Sequence, residues 1–135
     1  MSRNDPMSRA AFSARVFSLY VMAVGAALVL VPNLLLGLFG IAPTGEIWIR
    51  VAGLIAFNLG IYVWVAAHHR PFLQASVYTR SLVFVVLTGF AVTGMGEPML
   101  ALFGVLDLAG AIWTLLALRA DAQAAATGAA VGVAR

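Results

Sequence analysis

Asp107 sits inside an otherwise apolar run, residues 98–118, where a carboxylate can carry a proton, coordinate an ion or hold a ligand. It lies roughly nine residues into that run, about 14 Å along a helix at 1.5 Å per residue. A central aspartate costs about 2.5–3.5 kcal/mol on insertion scales, so something must offset it: neutralisation, a partner group or water. Arg50 is the first candidate, in the apolar run 47–67 and offset in depth by roughly 7 Å, within reach of a long side chain. Asn58, two turns further on, matches the level of Asp107 and can donate to it. Gly104, Gly110, Ala111, Phe103 and Thr114 share the Asp107 face, and small residues let membrane helices approach closely. Gly53, Ala56 and Gly60 offer a matching face. Spans 47–67 and 98–118 are therefore expected to pack together around a buried polar cluster of Arg50, Asp107 and Asn58. Such a cluster serves either as a proton or ligand site or as a structural pair that fixes helix register and topology.

Arg80 lies one turn inside the third apolar run, 77–95. It is expected to snorkel to the headgroups; the alternative is a contact to a lipid phosphate or a partner protein. His68 and His69 are neighbours, and adjacent helical residues point about 100° apart, so they do not share one metal ion. They read as a solvated interfacial pair. Tyr20, Tyr62, Trp64, Tyr78 and Trp113 read as packing or belt residues. No HExxH, Gly-rich phosphate loop, Ser-His-Asp set or paired-histidine haem ligation appears, and the Gly-x-Gly at 94–96 reads as a turn. No catalytic residue, metal or cofactor is assigned.

Four elements must carry these residues: the apolar runs 16–31, 47–67, 77–95 and 98–118. A helix needs roughly 20 apolar residues to cross a bilayer core about 30 Å thick. Only 10% of the 135 residues are charged, against about 25% in a soluble domain. Cysteine is absent, which excludes disulfides, thiolate metal sites and a cysteine nucleophile. The fold class expected is all-α, an antiparallel four-helix transmembrane bundle. Residues 33–42 are too apolar for a solvated loop and too short to cross, so they form either a short interfacial helix or a kinked continuation of span 1; Gly37 and Gly40 favour the interfacial helix. Thr44 is a candidate N-cap for span 2, and Pro71 can open span 3. The runs divide the chain into an N-terminal arm, 1–14, a transmembrane domain, 15–119, and a tail, 120–135, expected to be disordered.

All eight basic residues are arginine and give a net charge of +3. Arg3, Arg9 and Arg15, then Arg70 and Arg80, then Arg119 and Arg135 fall on one side of a four-span chain, while Glu46, Glu97 and Arg50 fall on the other. The positive-inside rule makes both termini cytoplasmic. So small an excess reads as a topology signal and not as a nucleic-acid footprint. Arg3, Arg9 and Arg15 before the first run imitate a signal peptide, but no small-residue cleavage site follows and the segment reads as a retained anchor.

The segments Trp48-Ile-Arg-Val-Ala-Gly-Leu-Ile-Ala-Phe-Asn-Leu-Gly-Ile-Tyr62, Phe72-Leu-Gln-Ala-Ser-Val-Tyr-Thr-Arg80 and Leu106-Asp-Leu-Ala-Gly-Ala-Ile-Trp113 resemble those of small four-span bacterial inner-membrane proteins, and the layout is similar to the broad DoxX-like group. The resemblance covers residues 15–119, implies a four-helix bundle, carries over no catalytic residue, and singles out Arg50, Asn58, Arg80 and Asp107 as its polar positions. The expected role is non-enzymatic: an accessory protein that binds membrane lipid or a partner membrane protein. The alternatives are a small oligomeric transporter or channel with Asp107 as its ion or proton site, and a subunit of a membrane enzyme acting on a lipid-soluble substrate.

Overall fold

The computed structural model describes residues 7–133, with side chains through 131. It is all-helical: α1 (Arg9–Leu30), α2 (Pro32–Leu38), α3 (Ile47–Ala66), α4 (Arg70–Val92) and α5 (Leu100–Val133). The four longer helices are each long and apolar enough to cross a membrane, and the chain is a multi-pass membrane protein. Their outward faces carry exposed Leu, Val and Ile, as lipid contact requires.

Each boundary has a local cause. Ser8 caps α1, its hydroxyl accepting from the Ala11 amide at 3.1 Å. Val31 leaves helical geometry (φ −135°, ψ 54°) just before Pro32, so α2 is a separate seven-residue helix and not a continuation of α1. Thr44 does not cap α3; its hydroxyl accepts from the Glu46 amide at 3.1 Å inside the preceding turn, and Glu46 occupies the cap position. Pro71 opens α4 as expected. Gly94, at φ +72°, turns the chain out of α4 with a backbone conformation that only glycine adopts freely.

The helices stand in the order α3, α1, α5, α4, with neighbours in that order antiparallel, and α4 also touches α1. Span 2 was expected against span 4, but α3 packs on α1. The reason is a matched set of small residues seven apart. Gly53 and Gly60 of α3 meet Gly25 and Ser18 of α1 so closely that a Cβ on Gly25 would lie 2.5 Å from the Phe57 amide nitrogen and 2.7 Å from the Gly53 carbonyl. Gly104 and Gly110 of α5 instead face α4, at Phe84 and Arg80. Between the two halves, α1 and α5 meet through Ala10, Ser13 and Ala14 on one side and Ala111, Thr114 and Ala117 on the other, all buried.

The tail also departs from expectation. Residues 120–133 continue α5 because the segment is dominated by alanine, the strongest helix former. At 34 residues α5 is about 51 Å long, well beyond a bilayer core. Its extension is tied down at Asp121, whose carboxylate accepts from the amides of Arg9 (3.2 Å) and Ala10 (3.1 Å) at the start of α1. Residues 123–131 are exposed. Of the expected arm, 1–6 lie outside the described residues, and residues from Arg9 onward are the first turns of α1.

Candidate functional site

Asp107 is paired with Arg80 and not with Arg50. Arg80 Nε lies 3.8 Å from Asp107 Oδ1, and the Arg80 side chain is almost fully enclosed. Arg80 was expected to snorkel to the headgroups; its side chain instead turns into the bundle, where Asp107, Thr114 and Phe17 surround it. Arg50 instead donates through Nη1 to the carbonyl of Val29 at the far end of α1. Asn58 lies on the exposed outer face of α3. The expected cluster of Arg50, Asn58 and Asp107 therefore does not form, since α3 turns its small residues toward α1 and carries Asn58 away from α5.

The guanidinium is positioned from two helices besides its own. α5 supplies Asp107, Thr114 and the space at Gly110: any Cβ there would collide with Arg80 Nη2. Arg80 Nη1 donates to Thr114 Oγ1 at 3.3 Å, and Thr114 Oγ1 lies 3.1 Å from Ser13 Oγ of α1. Phe17 of α1 presents its ring face 3.5 Å from the guanidinium carbon, a cation–π contact that gains strength away from water. Among the described residues, Nε and Nη2 of Arg80 find no hydrogen-bond acceptor, because the 3.8 Å ion pair is too long to be a hydrogen bond. A buried charged donor left unmatched is costly, so an oxygen acceptor brought to it would be held firmly.

Arg80 and Asp107 line a cavity of about 530 Å³. It lies among the four helices, where α3 and α4, at the two ends of the row, are bridged by α1 and α5. Val21, Val24, Leu59, Val63, Phe72 and Val83 are among its apolar wall residues. Of its other polar groups, Ser76 and Thr79 donate their hydroxyls to backbone carbonyls of their own helix, at Leu73 and Ser76. A smaller cavity of about 230 Å³ shares Phe17, Tyr20 and Arg80 with the first, so these side chains form a common wall. Near the other end Phe39, just after α2, packs edge-on against Phe103 at 4.9 Å between ring centres. Phe103 is itself part of the cavity lining.

Two of the residues with the most direct hold on Arg80, Phe17 and Thr114, come from α1 and α5. Thr114 was legible as a neighbour of Asp107 on one helical face. Phe17 and Ser13 carry no signal in the sequence, since an apolar ring and a serine near the start of a span are ordinary there. His68, expected to be solvated, is exposed and accepts through Nε2 from Arg15 Nη2 at 2.9 Å, and Arg15 also lies over the Trp64 ring. Among the described residues no three His, Cys, Asp or Glu side chains come together as a metal site would need.

No family model, no curated protein and no solved structure matches this chain.

Proposed function

We propose that this membrane protein is a non-enzymatic binding protein for a small, neutral, lipid-soluble molecule that carries an oxygen acceptor such as a carbonyl. The observation that carries the reading is Arg80: its side chain lines an apolar cavity together with Asp107, and two of its buried nitrogens have no hydrogen-bond partner among the described residues. A volume of about 530 Å³ falls within the range of small-molecule sites, which combine apolar walls with a few placed polar groups. Neutrality of the ligand follows from charge. Arg80 and Asp107 already balance one another, so an anion would leave an uncompensated charge in the apolar interior. The pairing of Asp107 also speaks against a free coupling carboxylate for ion transport. Arginine placement and the resemblance to small four-span bacterial proteins support a bacterial inner-membrane location with both termini cytoplasmic, and the apolar α2 suits the interface on the opposite side.

Native mass spectrometry after mild extraction tests the reading. The wild-type chain is expected to retain an apolar molecule of one mass. The A56F variant, which places a ring in the cavity from the α3 side, is expected to lose it while keeping its helical content. Equal retention by both proteins would sink the proposal.

A further inference from the structure

The outer face of α3 repeats every seven residues. Val51, Asn58 and Val65 fall at one heptad position, and Ile47, Leu54 and Ile61 fall at the other position of the same stripe. All six are exposed. Asn58 is five residues on from Gly53, about 140° around the helix from the buried face, and thus points away from α1. It stands near the middle of α3, about 16 Å from Ile47 along the axis, where lipid offers its amide nothing to bond. Only Leu54 of the second position is leucine, so the apolar residues do not set the partner number; the single asparagine at the first position does, since such a residue fixes register and partner number. Asparagine also bonds across membrane helices.

We infer that α3 is a homodimer interface, in which a second copy docks its own α3 on this stripe with the two Asn58 amides bonded across the axis. Two copies inserted with the same orientation are related by a two-fold along the membrane normal, which sets the same stripe against itself in parallel. Only such a pairing places asparagine opposite asparagine and satisfies both amides at once.

The chain has no cysteine, so single cysteines report contacts without interference. In vesicles holding the full chain, V51C, L54C, I61C and V65C are expected to cross-link on mild oxidation. L82C and V85C, equally exposed on α4, are expected to stay monomeric. By single-molecule photobleaching, N58A is expected to weaken dimerisation roughly 3–30-fold, the range of interhelical hydrogen bonds in membranes, and N58Q to weaken it less. A chain that remains monomeric at every density, whatever other protein it captures, or one that cross-links as readily through α4, would overturn the inference.

Discussion

Arg80 is enclosed by Asp107, Thr114, Phe17 and the absent side chain of Gly110, and each of those neighbours has a separate task. Asp107 balances the charge. Thr114 takes one donor, Phe17 covers the face, and Gly110 leaves the volume. Breaking a buried ion pair by removing one partner costs about 3–5 kcal/mol because the survivor is left uncompensated. D107N is therefore expected to lower the thermal midpoint markedly by circular dichroism in detergent. The double variant R80Q/D107N, neutral throughout, should recover part of the loss, with a coupling of about 0.5–3 kcal/mol. Strict additivity would show that the two side chains do not act as a pair. Asp107 was legible in the sequence because depth in an apolar run marks a carboxylate wherever the helix starts. Its partner was not. Arg80 could be placed on span 3, but which way its side chain turns depends on α4 packing against α5 at Gly110, which no single segment shows.

At the scale of the helices, glycine decides which surfaces meet. A Cβ at Gly25 would meet backbone atoms of α3 at 2.5–2.9 Å, whereas nothing lies within 4 Å of one at Gly37 in α2. G25A is thus expected to destabilise by about 1–3 kcal/mol through forced separation of α1 and α3. G37A is expected to be neutral or stabilising by up to about 1 kcal/mol, since alanine is the better helix former. Equal effects would contradict the packing assignment. The sequence displayed small residues on all four spans, so their number could not say which face met which. Spacing could not say either, since Gly104 and Ala111 share the seven-residue interval of Ser18 and Gly25; only the contacts show Gly53 and Gly60 meeting α1. The extension of α5 is a second element-scale feature. Disorder was expected in this segment, but its alanines extend α5 as helix, and Asp121, holding the free amides at the start of α1, ties the extension down. D121A is expected to cost about 0.5–2 kcal/mol, as loss of a cap does. Faster amide exchange at Arg9 and Ala10 is its direct signature.

For the whole molecule, α1 and α5 bridge α3 and α4, which share an apolar cluster near their connecting turn (Val63, Ala67, Leu73), and the cavity lies among the four helices. The all-helical, four-span architecture was legible from apolar run length and charge alone, because a bilayer admits few alternatives. The order of the helices was not, and with it the cavity stayed hidden, since neither belongs to any single segment. The central claim is that this cavity takes a neutral apolar molecule through an oxygen bonded to Arg80. Photolabelling of the reconstituted chain, with a diazirine-bearing aliphatic ketone of cavity size beside the matching hydrocarbon, tests it most directly. Saturable labelling by the ketone is expected at Val21, Val24 and Val83, with roughly tenfold or greater loss of affinity in R80Q/D107N, the worth of a hydrogen bond to a charged group. Ketone and hydrocarbon labelling that is equal, non-saturable and confined to the outer faces of the helices would contradict it.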